Sequence, residues 1–307
     1  MHARSQAQLV DGLAAAGDAT VWTPAVRAAL RAVDRALFLD GDDYGEPYLA
    51  KPQPLGFGAS LSAPQHHALV LSTVLSTGRL TPAARVLDVG CGSGYLTAAL
   101  FAAAGTAATP AGSGCALVVG VDRVPALVDR ARSCLARCPV TTRAVASGAL
   151  RVEHAYAGSR AASGAASVSE TWHVDAWTVR GGRFDVVHLG FALDLSTRGG
   201  RRDFDAVRSA LLEAERGVVV GGIGGDLCVW GATGDPVAVA AVPGMAKAEA
   251  GPWVKPATRA ERKSRLKAEL ERWRDAFAAR NGGRRPTRTE MALDAEAAAL
   301  FDEFRTL

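Results

Sequence analysis

The stretch that decides the fold spans residues 85–97 and reads RVLDVGCGSGYLT. Its apolar run ends in three alternating glycines, a pattern typical of a strand that enters a tight turn before a helix. Gly90, Gly92 and Gly94 have no Cβ, so their backbone can adopt positive φ and approach a ligand, while the helix presents free N–H groups. The stretch predicts a cofactor-binding turn, and a glycine-rich turn without a ligand is the alternative.

The spacing of the glycines indicates which cofactor the turn would hold. A dinucleotide fingerprint needs G-x-G-x-x-G, but the residue three after Gly92 is Tyr95. The glycines and the acid at the strand end, Asp88, instead resemble the first motif of the S-adenosylmethionine-dependent methyltransferases. This resemblance implies S-adenosyl-L-methionine as the cofactor.

A second carboxylate, Asp122, ends the next apolar run at residues 117–122. A doubly wound sheet places the acid that holds a ribose at this point, so Asp122 is the predicted ribose anchor. An Asp after a strand is often only a helix N-cap, and the two roles are compatible because a cap can also face the cofactor.

Further strands are predicted at residues 171–175, 184–189 and 217–221, with helices between most of them. The predicted fold is α/β: a doubly wound, mostly parallel, seven-stranded-type sheet like that of the class I, Rossmann-like methyltransferases. We assign residues 1–250 to this domain, with an N-terminal helical cap and insertions near 106–114 and 155–170, where small residues accumulate. Residues 251–307 are predicted to form a basic helical extension.

The segment before the glycines, residues 54–68, reads PLGFGASLSAPQHHA. It resembles the protein-L-isoaspartate O-methyltransferases, which carry a proline, an apolar residue, G-Y/F-G and then S-x-P before a helix. Residues 34–38 are similar to the family's D-R-x-x-F/Y, and residues 184–190 to its Y-D-x-I-H-V-G strand. The resemblance covers roughly residues 5–245.

The resemblance implies an enzyme that methylates the α-carboxyl of L-isoaspartyl residues in damaged proteins and peptides and so initiates their repair. D-aspartyl residues are a possible second substrate. Ser62 matches a serine with a catalytic role in the family, and its hydroxyl would orient the carboxylate above Asp88. An ionised carboxylate is already nucleophilic, so alignment matters more than a strong base. A serine before Ala-Pro is otherwise a common helix cap.

Two further cofactor contacts depend on less complete matches. The family commonly shows S-A-P-H-M-H-A, so Gln65 and His66 depart from it, while His67 matches and is expected near the cofactor or in a structural role. Asp175 stands in the place of the family's G-D-G, where the acid contacts the adenine amino group. Its neighbours depart from that pattern, and an ordinary strand-end carboxylate is the alternative.

The C-terminal part carries most of the positive charge: residues 255–288 hold twelve Lys or Arg and four Asp or Glu, in a chain whose net charge is +4. Apolar residues at helical spacing and a Thr-x-x-Glu capping box predict two helices, a hairpin packed on the main domain. The apolar stripe consists of Leu266, Leu270, Trp273 and Phe277, and the box of Thr287 and Glu290.

A docking tail for a protein partner through residues 255–307 is the second interpretation. It accompanies an alternative function, a catalytically weak cofactor-binding adaptor. Nucleic acid is not favoured, because the few aromatic residues already belong to the stripe.

Composition bounds the remaining possibilities. The chain has 307 residues, 49% of them hydrophobic, which is enough for one sizeable α/β domain with an appendage. Its five cysteines show neither metal-ligand spacing nor a disulfide framework, so we expect free thiols and no metal. No apolar run has the length of a signal peptide or a membrane span, and the expected location is the cytoplasm.

Overall fold

The structure, a computed structural model, describes residues 3–39, 46–106, 117–154, 183–213, 215–242, 259–281, 284–287 and 290. The chain divides into two compact units, Met1–Trp253 and Val254–Leu307. The predicted insertion near 155–170 and Asp175 lie outside the described residues, as does nearly all of the insertion near 106–114.

A seven-stranded sheet forms the centre of the first unit. A separate two-stranded hairpin, β1 (Gln53–Gly56) and β2 (Ala59–Leu61), precedes it. The sheet strands are β3 (Arg85–Val89), β4 (Leu117–Asp122), β5 (Leu150–His154), β6 (Val186–Leu193), β7 (Val218–Ile223), β8 (Asp226–Gly231) and β9 (Val237–Ala241). Their order is β5-β4-β3-β6-β7-β8-β9, parallel from β5 to β7 and antiparallel from β7 to β9. The predicted doubly wound, mostly parallel sheet is confirmed.

The strands consist largely of valine and leucine because a parallel sheet is covered on both faces. All six residues of β4 are buried, for example. Alternate residues along each strand enter different cores: Val86 and Val186 belong to one core, and Leu87 and Val187 belong to the other, on the opposite face. By the same alternation, the polar residues at positions 88 and 188 face the side of Val86 and Val186.

The first unit also contains seven α-helices within its described residues: α1 (Gln6–Ala16), α2 (Pro24–Ala32), α3 (Pro64–Ser76), α4 (Tyr95–Thr106), α5 (Pro125–Arg137), α6 (Thr142–Ser147) and α7 (Arg198–Ala206). A 3-10 turn, Arg35–Phe38, follows α2, and a π-helical turn, Val207–Leu211, follows α7. The side chains of Ser5 and Thr23 cap α1 and α2 by accepting N–H hydrogen bonds.

The second unit contains α8 (Arg259–Arg280), a helix within the basic segment. Leu270 and Trp273 are buried, and the rings of Trp273 and Phe277 lie 5.5 Å apart, as their helical spacing predicts. The capping box is present: Thr287 N donates to Glu290 Oε2 at 2.8 Å, and Glu290 N donates to Thr287 Oγ1 at 3.3 Å. Most of the predicted second helix lies outside the described residues. No described helix is long and apolar enough to cross a membrane.

Candidate active site

The glycine-rich stretch forms the predicted turn between β3 and α4. Gly90, Gly92 and Gly94 have φ of 76°, 56° and 85°, in the left-handed region that a side chain disfavours. The N–H groups of Gly90 and Cys91 both donate to the carbonyl of Val121, at 2.8 and 3.0 Å, which ties the turn to the end of β4. The backbone is therefore fixed and close to any ligand above it.

Asp122 links the ends of two neighbouring parallel strands. Its Oδ2 accepts from Gly92 N and its Oδ1 from Val124 N, both at 2.9 Å. Burial raises its pKa, and the two N–H groups oppose that shift. The helix α5 has Val124 as its N-cap, so Asp122 supports the loop before the helix. Each carboxylate oxygen can accept a further bond, so the ribose role stays a prediction that this geometry allows.

Asp88 is completely buried, and both of its oxygens are hydrogen-bonded within the protein. Oδ2 accepts from the Thr97 hydroxyl at 2.6 Å, and Oδ1 lies 2.8 Å from Nδ1 of His188. The sheet explains this contact, because Asp88 and His188 are directly paired on β3 and β6. On the other side, Asp88 pairs with Gly120 of β4, where a Cβ would lie 3.2 Å from the Thr97 hydroxyl. Gly120 thus leaves the space that Thr97 occupies.

Ser62 lies between β2 and α3 and is partly buried. The N-cap of α3 is Ala63, and no side chain makes a cap hydrogen bond there. The alternative that Ser62 caps the helix is therefore wrong. Its carbonyl accepts from Nη1 of Arg35 at 2.8 Å.

Arg35 is a site-supporting residue to which sequence reasoning gave no role. It is completely buried, and its guanidinium donates to the carbonyls of Lys51 (3.2 Å), Leu61 (3.3 Å) and Ser62 (2.8 Å). It lies 5.8 Å from the centre of the Tyr95 ring. Burial lowers the pKa of Arg35 to about 10, so it is charged at neutral pH. The sequence feature that could have identified Arg35 is its position in the family-like motif at residues 34–38.

Three histidines, His66, His67 and His188, lie near the Ser62 segment. His67 is buried with its ring 4.9 Å from Tyr95, and burial, with Arg35 next, lowers its pKa well below the usual value. Burial also lowers the pKa of His66 to about 4, with His188 as the second cause. Within the described part of the chain, Nδ1 of His66, Nδ1 of His67 and Nε2 of His188 are buried without a hydrogen-bond partner.

One cavity joins these groups. It is lined by residues of the hairpin, α3, the glycine turn and β6: Leu55, Ser60, Leu61, Ser62, His66, His67, Asp88, Gly90, Cys91, Gly92, Ser93, Leu96, His188 and Gly190. Five predicted site residues, Ser62, His67, Asp88, Gly90 and Gly92, are among them. Gly94 and Asp122 do not line the cavity, although Asp122 holds the turn that does.

The chemistry available in this cavity is positioning by hydrogen bonds. Burial raises the pKa of the Cys91 thiol well above its usual value, and Asp88 and Asp122 raise it further, so a thiolate nucleophile is not available. The two described histidines of α3 are neutral at physiological pH. Across the described ranges no group of three or more His, Cys, Asp or Glu is placed to hold a metal ion.

The sheet order and the glycine turn are those of the class I, Rossmann-like methyltransferase fold. Residues 4–154 match the family model described as "Protein-L-isoaspartate(D-aspartate) O-methyltransferase (PCMT)". This part of the chain is similar to that family.

Two curated relatives are similar to part of this chain. A probable protein-L-isoaspartate O-methyltransferase of Dictyostelium discoideum is 35% identical over 139 residues, 45% of this chain and 40% of that protein. The protein-L-isoaspartate O-methyltransferase of Triticum aestivum is 39% identical over 108 residues, 35% of this chain and 42% of that protein. The matches thus span less than half the length of these two relatives.

Among solved structures, that of a proposed protein-L-isoaspartate O-methyltransferase from Plasmodium falciparum, in complex with S-adenosyl-L-homocysteine, superposes with a TM-score of 0.58 at 20% identity. It covers 80% of this chain and 99% of the other. A second protein-L-isoaspartate O-methyltransferase structure gives a TM-score of 0.51 at 17% identity and covers 85% of this chain and 70% of the other. These likenesses show the fold.

Proposed function

We propose that the chain is an S-adenosyl-L-methionine-dependent enzyme that methylates the α-carboxyl of L-isoaspartyl residues, and the side-chain carboxyl of D-aspartyl residues, in damaged proteins. The observation that carries the proposal is the cavity shared by Ser62 and the glycine turn. The proposal is supported because Ser62, which follows the family-like hairpin at residues 53–61, lines the same cavity as Gly90 and Gly92. The names of the curated relatives support the same activity.

The residues of the site fit the cofactor. The turn at Gly90 and Gly92 has no Cβ that would obstruct a ligand, and Asp122 keeps acceptor positions for ribose hydroxyls. The complex of the Plasmodium falciparum protein with S-adenosyl-L-homocysteine supports this assignment. When bound, the cofactor supplies an electrophilic methyl group. Asp175, proposed to contact its adenine, lies outside the described residues.

The protein contributes alignment and exclusion of water. We assign to the Ser62 hydroxyl a hydrogen bond to one oxygen of the substrate carboxylate, which turns the other oxygen toward the methyl group. Arg35 fixes the Ser62 backbone, and the apolar side chains of Leu55 and Leu96 line the cavity. Asp88 acts through the groups it orients, because both of its oxygens already accept hydrogen bonds. Alignment of this kind can contribute roughly 7–11 kcal/mol.

The substrates would be isoaspartyl-containing proteins and peptides with mobile backbones, which can enter the cavity as an exposed segment. A cytoplasmic location and a protein partner for residues 255–307 remain predictions from the sequence. No comparison favours the adaptor alternative, which becomes an outcome of the experiment below.

Transfer of a radiolabelled methyl group to two synthetic peptides, one with L-isoaspartate and one with ordinary aspartate, tests the proposal. The full chain is expected to label only the isoaspartyl peptide, as a base-labile ester, and Ser62→Ala to reduce that labelling sharply. Binding of S-adenosyl-L-homocysteine, measured by calorimetry, should be equal for both proteins. Binding without labelling of either peptide would reject the enzyme in favour of the adaptor.

A further inference from the structure

The buried histidine of β6, His188, carries two ring nitrogens in different surroundings. The residue is 3% exposed and lines the cavity. Its Nδ1 lies 2.8 Å from Asp88 Oδ1, whereas its Nε2 is buried and has no hydrogen-bond partner in the part of the chain that the structure describes. Buried polar atoms are nearly always paired in folded proteins, so an orphan in a cavity wall marks a place for a ligand atom.

Asp88 fixes both the tautomer and the orientation of this ring. A carboxylate oxygen accepts hydrogen bonds, so we assign the donor in this contact to Nδ1–H of His188. The Thr97 hydroxyl holds the other carboxylate oxygen at 2.6 Å, which prevents the carboxylate from turning. With the proton on Nδ1, Nε2 is a hydrogen-bond acceptor with a fixed direction, on a residue that lines the cavity.

The sheet order indicates which ligand the Nε2 atom meets. Asp122, the proposed ribose anchor, ends β4, and β6 lies on the opposite side of β3. Adjacent strands are about 4.8 Å apart, so the nucleoside side and the His188 side of the glycine turn are separated. Ser62 and His66 line the same cavity as His188. The His188 side is thus the side of the methyl acceptor.

We propose that His188 is a substrate-binding residue whose Nε2 accepts a hydrogen bond from the backbone N–H of the isoaspartyl residue, next to the carboxylate that is methylated. This inference rests on the proposed function and adds a specific contact to it. The contact explains why Asp88 lies in the cavity wall although both of its oxygens are hydrogen-bonded within the protein. Asp88 holds the histidine that binds the substrate backbone.

Two substitutions separate the two ring nitrogens. In His188→Asn the side-chain amide can replace Nδ1–H as the donor to Asp88 but leaves nothing at the position of Nε2. In His188→Gln the amide reaches the position of Nε2 but leaves Asp88 without its donor. We expect KM for the isoaspartyl peptide to rise about tenfold in His188→Asn, the effect of one lost hydrogen bond. His188→Gln should keep KM within about threefold and lose thermal stability instead. If His188 had only a structural role, His188→Gln would raise KM more than His188→Asn.

The decisive test is a cycle with a substrate whose isoaspartyl nitrogen carries a methyl group and cannot donate. The wild-type chain is expected to show a KM about tenfold higher for this peptide than for the unmodified one, and His188→Asn equal KM values for both. Equal ratios in the two proteins would overturn the proposal. Calorimetric binding of S-adenosyl-L-homocysteine should be unchanged by His188→Asn, and a weakened affinity would place Nε2 against the cofactor and also overturn it. A wild-type chain that methylates neither peptide would instead reject the proposed function itself.

Discussion

Replacement of Arg35 by methionine removes the only side chain that, in the described residues, holds the carbonyls of Lys51, Leu61 and Ser62 together. A hydrogen bond from a charged donor contributes about 1.5–3 kcal/mol net, so the three together contribute roughly 5–9 kcal/mol. These net values already include the desolvation of the guanidinium, which lowers the pKa of Arg35 from 12.5 to about 10. The three bonds share one side chain and are not fully additive, so we expect Arg35→Met to reduce the free energy of unfolding by about 2–6 kcal/mol.

The assay is urea unfolding of the full chain, with Arg31→Met as the matched control. Arg31 is half exposed on α2 and pairs with Asp11, a surface ion pair whose loss is worth at most about 1 kcal/mol. Arg35→Lys keeps the charge but has no planar fork to reach three carbonyls, so it should lie close to Arg35→Met. A loss below about 1 kcal/mol for Arg35→Met would refute the argument that this guanidinium holds the Ser62 segment.

Two further predictions concern the histidines and the sheet. Because burial lowers the pKa of His66 from 6.5 to about 4, its neutral form contributes stability that is complete above pH 6.5 and is lost as pH falls toward 4, at most about 3 kcal/mol. Unfolding measured at pH 7 and pH 4.5 should show a smaller acid loss for His66→Met than for wild type or for the exposed-site control His154→Met; equal losses would contradict this. Gly120→Ala would place a Cβ 3.2 Å from the Thr97 hydroxyl and should lower stability by about 1–3 kcal/mol, whereas Gly225→Ala enters open space and should change it by less than about 0.5 kcal/mol. Similar melting curves for these two glycine variants would show that Gly120 is not needed for packing.

Local patterns predicted the parts of the site that depend on neighbouring residues. Gly90, Gly92 and Gly94 adopt the positive φ values that their spacing after a β-strand predicts. The strand at 117–122 has the predicted bounds, because a continuous apolar run that ends in an acid defines both ends of the strand. Thr287 and Glu290 form their capping box because its bonds span only three residues.

Contacts between distant segments could not be predicted in the same way. The bond between His188 and Asp88 joins residues one hundred positions apart, and only the pairing of β3 with β6 brings them together. Arg35 reaches Ser62 across twenty-seven positions, and a buried arginine without a carboxylate partner has no sequence pattern. For β6, the predicted end at residue 189 was too early: the strand continues through an irregularity to Leu193.

The measurement that tests the central claim most directly is repair itself. The full chain and S-adenosyl-L-methionine are incubated with an L-isoaspartyl peptide, and chromatography follows the isoaspartyl and ordinary aspartyl forms over time. Methylation of the α-carboxyl should lead through a succinimide to a steady increase in the aspartyl form, which Ser62→Ala or an excess of S-adenosyl-L-homocysteine suppresses. An isoaspartyl peptide that persists unchanged, with a chain that binds the cofactor normally, would contradict the account.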